Sequence, residues 1–112
     1  MQKNDLTTRV TFLATRGGYI QLLNPISKPT STIRLALNVG ETTDRVQAIE
    51  KPSTIFTGWS DGVKSNPRTH TVTKEDYENG GVEITANFSS KYWFIGGLID
   101  WIWSMRNPIR VR

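Results

Sequence analysis

Apolar and polar residues alternate along much of the chain before residue 89. In the clearest instance, residues 82–88, every second position is apolar: Val82, Ile84, Ala86 and Phe88. Because successive side chains of a strand point to opposite faces, this pattern predicts a strand with one buried face. Similar patterns predict about seven short strands, at 9–15, 19–23, 32–39, 45–49, 55–60, 70–73 and 82–88. The chain is therefore predicted to be mainly β.

Turn signals separate these strands. Gly17 and Gly18 predict a turn that joins the first two strands into a hairpin. The acidic segment 74–81 predicts one helical turn, capped by Thr73 and stopped at Gly80. No long amphipathic helix is expected before Phe88.

The aromatic pair Phe56 and Trp59 leaves two alternatives open. The two residues are an odd number of positions apart, so a regular strand would place them on opposite faces. Either this strand is covered on both sides, or Gly58 marks a β-bulge. In both cases Trp59 is expected to pack in the core. The predicted core residues are Phe12, Leu35, Leu37, Phe56, Trp59, Val82, Ile84 and Phe88.

Several local motifs follow one another between residues 40 and 88. They are the turn Gly40-Glu41-Thr42, the strand Val46-Gln47-Ala48, the run Phe56-Thr57-Gly58-Trp59-Ser60-Asp61-Gly62, the turn Asn66-Pro67, the strand Thr71-Val72-Thr73 and the closure Thr85-Ala86-Asn87-Phe88. With them, residues 10–88 resemble the divergent internalin-type B repeat of bacterial surface proteins. The resemblance implies a β-grasp-like domain that acts as a spacer, adhesion or assembly module, and it implies no catalytic residues. Repeats of this type stand in tandem, whereas here one copy is present.

The predicted architecture is a small single β-domain, grasp-like or sandwich-like, with an aromatic C-terminal extension. A chain of 112 residues has room for one core. We divide it into an N-terminal arm (1–9), the β-domain (10–88) and the extension (89–112). The N-terminus lacks the apolar run of a signal peptide, which favours a small complete gene product that is not exported by such a signal.

The extension differs in composition from the rest of the chain. It holds three of the four tryptophans, together with a basic end. Residues 92–103 are too few, and too often interrupted by Gly and Asp, for a membrane span, which needs about 20 apolar residues. Three interpretations remain: part of the domain core, a docking segment for a partner subunit, and a segment that binds a membrane surface. The candidate partner-binding residues are Tyr92, Trp93, Phe94, Leu98, Ile99, Trp101, Ile102, Trp103, Arg106, Arg110 and Arg112.

Residues 109–112 alternate apolar and basic side chains, a pattern suited to adding an edge strand to a neighbouring subunit. We therefore prefer the docking interpretation for the extension. The net charge of +4 does not favour nucleic acid as a partner, because the basic residues before the extension are scattered among acidic ones.

Candidate chemistry is sparse. The chain has no cysteine and a single histidine, His70, which is expected to lie at a strand edge. Neither a catalytic set nor a metal site is predicted, because no further His, no Cys and no paired carboxylates stand at ligand spacing from it. The acidic residues Glu75, Asp76 and Glu78 indicate a solvated turn rather than a calcium loop. No cofactor is expected.

These patterns lead to a functional hypothesis. The leading hypothesis is a non-enzymatic structural or assembly module, a small bacteriophage virion protein that decorates a capsid or belongs to a tail. Its partners would be protein subunits, either copies of itself or other virion proteins. The alternatives are a bacterial cell-surface adhesion or spacer repeat that binds host protein or glycan, and a peripheral membrane-binding protein.

Overall fold

The computed structural model describes residues 6–90, which form six strands and one short helix. In chain order these are β1 (Thr7–Ala14), β2 (Gly18–Leu22), β3 (Thr32–Asn38), β4 (Val46–Glu50), β5 (Thr54–Trp59), α1 (Lys74–Glu78) and β6 (Val82–Ser90). The protein is mainly β, as the alternating pattern predicts. β1 starts at Thr7, so residues 7–9 of the predicted arm belong to a strand.

The strands form two sheets around one core. The larger sheet has the order β3-β1-β6-β5, and β2 pairs with β4 in the smaller sheet. β1 runs parallel to β6, whereas the other pairs are antiparallel. Both sheets contribute side chains to a single buried cluster: Val10, Phe12, Ile20, Ile33, Val46, Ala48, Trp59, Val72, Ile84 and Ala86. Of the predicted core residues, Phe12, Trp59 and Ile84 are buried, and Leu35, Leu37, Phe56, Val82 and Phe88 are partly buried and pack against this cluster.

The predicted hairpin of the first two strands is wrong. β1 pairs with β3 and β6, and β2 pairs with β4 in the other sheet. Gly17, and Gly18 at the start of β2, lie where the chain passes from one sheet to the other. Gly17 has a φ of 127°, and a Cβ at Gly18 would overlap the ring of Phe88. These glycines thus mark a close approach to Phe88 rather than a hairpin turn.

A β-bulge brings Phe56 and Trp59 onto the same face. Phe56 pairs with Phe88, and Gly58 pairs with the preceding residue of β6, Asn87, so that Thr57 is the extra residue. Gly58 has a φ of 136°, which favours glycine. The bulge confirms one of the two alternatives for this strand. The Phe56 and Trp59 rings meet edge to face, with centroids 5.4 Å apart.

The predicted strand at 70–73 is also wrong. Its backbone bonds to the irregular segment before β4: the N–H of Thr43 donates to His70, and the N–H of Val72 donates to Glu41. Only an isolated bridge, between Thr42 and Thr71, results. The partner segment, residues 41–45, contains no strand.

Beside β4, the side chain of Asn66 makes the hydrogen bonds that a neighbouring strand would make. Oδ1 of Asn66 accepts a hydrogen bond from the N–H of Ala48 at 2.8 Å, and Nδ2 of Asn66 donates to the carbonyl oxygen of Ala48 at 2.9 Å. Asn66 therefore satisfies both backbone groups of a buried residue, as a neighbouring strand would.

The predicted helical turn is confirmed. Thr73 is the N-cap of α1, and its hydroxyl accepts a hydrogen bond from the N–H of Asp76. Asp76 reciprocates by accepting the N–H of Thr73, which completes a capping box. After the helix, Gly80 has a φ of 82° and ends the turn.

Candidate protein-binding edge and groove

The partner-binding residues predicted from the sequence, Tyr92 to Arg112, lie outside the described residues. Within residues 6–90 the candidate site is a different one. It combines a surface groove with the free edge of β3.

The groove lies between the two strands β1 and β3 and the end of α1. It has a volume of about 730 Å³ and is lined by Thr7, Thr8, Arg9, Arg34, Leu35, Ala36, Tyr77, Glu78 and Gly80. A second groove of about 380 Å³ adjoins it, sharing Arg9, Arg34 and Gly80. The two grooves therefore form one depression with the two arginines in common.

Arg9 and Arg34 lie on the same face of the larger sheet. In the register of β1 and β3, Arg9 pairs with Ala36 and Thr11 pairs with Arg34. The two arginines are thus diagonal neighbours, whose Cα atoms lie about 7 to 8 Å apart in a regular antiparallel pair. Both are exposed, and neither takes part in an ion pair among residues 6–90. Two guanidinium groups can therefore reach one anionic ligand.

Thr11 lies on the same face of the sheet, directly opposite Arg34 and two residues from Arg9. It is only 6% exposed, and it lines the second groove. Its hydroxyl makes no hydrogen bond to another described residue, in contrast to Thr7, whose hydroxyl bonds Oδ1 of Asn38. A buried hydroxyl without a partner is uncommon in proteins, and here it faces a groove.

Two glutamates share the depression with the arginines. Glu78 belongs to α1, and Glu83 pairs with Thr11 from β6, the strand on the far side of β1 from β3. Neither glutamate lies within ion-pair distance of Arg9 or Arg34. Both arginines are therefore left without an ion-pair partner among residues 6–90, although Glu78 lines the same groove as Arg34 and Ala36.

The outer edge of β3 is partly free. The N–H of Ala14 donates to Ser31, and the N–H of Val39 donates to Leu6, so the odd-numbered residues of this segment direct their backbone groups towards β1. The even-numbered residues direct theirs to the outside. At one end Thr32 bonds the hydroxyl of Thr30.

At the other end of β3, Glu41 satisfies Asn38. Its carboxylate accepts the N–H of Asn38 at 2.8 Å, and its own N–H donates to the carbonyl oxygen of Asn38. Between these ends, the outward N–H and C=O groups of Arg34 and Ala36 have no partner among residues 6–90. The edge of β3 is thus open at these two residues.

The opposite edge of the sheet, β5, is covered. Oε2 of Glu50 accepts the N–H of Phe56 at 2.8 Å, and Nζ of Lys64 donates to the carbonyl oxygen of Thr57. The N–H of Trp59 donates to Val63 in the following turn. Natural proteins protect edge strands in such ways. Within the described part of the chain, the open part of β3 lacks this protection.

The titratable side chains elsewhere serve the fold. Nε2 of His70 lies 2.8 Å from Oδ2 of Asp76, the carboxylate that also completes the capping box. Burial opposes ionisation of Asp76, but hydrogen bonds from the N–H of Thr73 and from His70 outweigh burial and lower the pKa of this carboxyl. His70 is therefore held by the helix cap beside the bridge at Thr71.

A second pair joins Arg68 to Asp61. Nη1 of Arg68 donates to Oδ1 of Asp61 at 2.8 Å, and Nε of Arg68 donates to the carbonyl oxygen of Thr69. The hydrogen bond from Arg68 holds the pKa of Asp61 below its ordinary value. This pair fixes the turn 60–62, whose Ser-Asp-Gly sequence predicts a turn.

Arg9, Arg34 and Ala36 are not among the candidate site residues predicted from the sequence. The alternation in residues 32–39 places Arg34 on the other face of the strand from Ile33 and Leu35, so its exposure was predictable. Its position next to Arg9 depends on the pairing of β1 with β3, which alternation does not reveal. Within residues 6–90 no cluster of His, Asp or Glu is arranged to hold a metal ion, and no helix has the length and hydrophobicity to span a membrane.

The chain was compared with protein-family models, with curated proteins and with solved structures. None of the three comparisons found a match.

Proposed function

We propose that this chain is a non-enzymatic structural or assembly module that binds other protein subunits. The observation that carries the proposal is the open edge of β3 beside a groove, in a sheet whose other edge is covered. An open edge with adjacent side-chain pockets is a common way to bind a protein segment. The single histidine, His70, and the carboxylates of Asp76 and Asp61 are engaged in holding a helix cap and a turn.

The setting that we favour is a bacteriophage virion, in which the chain decorates a capsid or belongs to a tail. The proposal draws on the resemblance of residues 10–88 to a bacterial surface repeat and on the tryptophan-rich composition of residues 91–112. In this proposal the β-domain is the folded body, and the C-terminal segment docks onto a neighbouring subunit.

The test compares the full chain with a variant in which Trp93, Trp101 and Trp103 are replaced by Ser. We expect the variant to lose oligomeric mass in size-exclusion chromatography with mass measurement, or to lose its incorporation into particles. Ile26→Ser is the matched control, because Ile26 is an apolar residue that is 70% exposed. Unchanged mass and unchanged particle incorporation in the triple variant would refute the docking role.

A further inference from the structure

We propose that the open edge of β3, at Arg34 and Ala36, binds an extended acidic segment of a partner protein, which joins the larger sheet as an additional strand. The inference rests on the proposed function, because it names the kind of partner that this assembly module binds. It concerns a surface in the β-domain, not the C-terminal segment.

The backbone of β3 defines how such a segment pairs. Arg34 and Ala36 each present one N–H and one C=O to the outside, and these are the groups that a further strand would use. Thr30 and Glu41 already satisfy the residues at either end, Thr32 and Asn38. Backbone pairing is therefore confined to a short stretch of β3. The affinity for a segment then depends strongly on contacts between its side chains and the residues beside this stretch.

The charge beside this edge selects an acidic partner. Arg34 is on β3 itself, and Arg9 is its diagonal neighbour on β1. Of the two glutamates in the depression, Glu83 is two strands away on β6, and Glu78 of α1 forms no ion pair with either arginine. Carboxylate side chains on the added strand would lie on the same face as the two guanidinium groups and form charge-assisted hydrogen bonds with them. The net charge of +4 also attracts an acidic segment during encounter.

Charge also disfavours two other occupants. A second copy of this chain paired through β3 would bring two Arg34 side chains onto one face, next to both Arg9 side chains. The basic sequence of residues 109–112 would add Arg110 and Arg112 to the same patch. Like charges in neighbouring positions destabilise strand pairing. Arg34 therefore weakens the binding of these two basic partners and strengthens the binding of an acidic one.

The experiment uses the full chain and a short synthetic peptide in which Glu alternates with Val. We expect the peptide to bind and to slow the hydrogen exchange of the Arg34 and Ala36 amides, measured by NMR. The same peptide with Lys in place of Glu is expected to bind at least about tenfold more weakly. Binding of both peptides with equal affinity, or without protection of these amides, would overturn the proposal.

Two variants test the charge and the backbone separately. Arg34→Glu should weaken binding of the Glu peptide about tenfold or more, whereas the matched charge reversal Arg16→Glu, at an exposed turn residue, should have a smaller effect. Ala36→Pro removes an outward N–H and leaves the bonds between β1 and β3 in place, because those come from odd-numbered residues. It should also weaken binding.

Circular dichroism establishes that each variant is folded; if Ala36→Pro does not fold, Arg34→Glu decides the question. A dimer of the full chain that Ala36→Pro dissociates would assign this edge to a second copy and overturn the acidic partner. The peptide-binding measurements at β3 do not depend on the outcome for the variant that replaces Trp93, Trp101 and Trp103. The docking role of the C-terminal segment and the role of β3 can therefore fail separately.

Discussion

Arg68 stacks on Trp59: its guanidinium carbon lies 5.4 Å from the centroid of the tryptophan ring. The side chain of Arg68 is only 4% exposed, and its charge is paired with Asp61 in the adjoining turn. Nε1 of Trp59 donates a hydrogen bond to Ser65, so the polar edge of the indole is also satisfied. Trp59, the one tryptophan before residue 90, is thus fixed on several sides within the domain.

Replacing Arg68 by Met should lower the free energy of unfolding by about 2 kcal/mol. The variant loses the ion pair and the cation–π contact, but Asp61 can return to water because its side chain is 33% exposed. The cost should therefore fall below that of breaking a fully buried pair. Urea unfolding followed by circular dichroism measures it, with the exposed Arg45→Met as control. Equal stability of the two variants would contradict this role for Arg68.

The stability of the protein should decrease as the pH falls below about 4. Folding lowers the pKa of both Asp61 and Asp76, so their contribution is fully present above the pKa of the unfolded chain. It is lost as the pH falls towards the lower pKa of the folded state. Urea unfolding at a series of pH values measures the decline. Asp76→Asn should make this decline less steep, and an unchanged slope would show that the His70 and Thr73 contacts do not carry the effect.

Deleting Thr57 should be tolerated, unlike most deletions inside a strand. Without this extra residue, Phe56 and Trp59 are two positions apart and share a face in a regular strand. In the natural sequence Gly58→Ala should cost about 1 to 3 kcal/mol, because the φ of Gly58 is 136°. After deletion of Thr57, the same Ala substitution should cost much less.

Thermal unfolding of the two single variants and of the combined variant tests this coupling. A deletion of Thr85, in the regular part of β6, is the control, because it moves every later side chain to the other face. If Gly58→Ala is equally damaging with and without Thr57, the bulge does not explain the presence of glycine at this position.

Different substitutions of Asn66 should lower the stability of the protein by different amounts. Asn66→Ala leaves both backbone groups of the buried Ala48 without a partner, which should cost about 2 kcal/mol or more. Asn66→Asp keeps the acceptor for the N–H of Ala48 but turns a carboxylate oxygen, which cannot donate, towards the carbonyl oxygen of Ala48. Protonation of this carboxyl restores a donor, so the aspartate variant should gain stability relative to the alanine variant as the pH falls below about 4. Chemical denaturation of both variants at neutral and at acid pH measures the difference, and a difference that does not change with pH would contradict the assignment.

The sequence carries good information about individual strands and little about their partners. Alternation places Val82, Ile84 and Ala86 on one face, and the structure agrees. Thr73 and Gly80 mark the ends of a helical turn because capping is a local interaction. Pairing of β1 with β6 joins residues about 70 positions apart, such as Phe12 and Ile84, and no local signal specifies it.

Polar residues with structural roles were the harder part to predict. Arg68 in the core and Asn66 beside β4 depend on contacts with segments distant in sequence, Trp59 and Ala48. The candidate site depends on tertiary structure for the same reason. Arg9 and Arg34 are ordinary exposed residues in the sequence, and only the register of β1 and β3 makes them neighbours.

The parallel pairing of β1 and β6 determines how the domain responds to a pulling force. The two strands are adjacent in the middle of the larger sheet, and the chain enters at the start of β1 and leaves at the end of β6. Tension applied through the two ends therefore acts along the strands in opposite directions. It loads the hydrogen bonds between them in shear, so that they resist together instead of opening one after another. The domain is therefore expected to resist tension through these two ends better than tension applied across the strands.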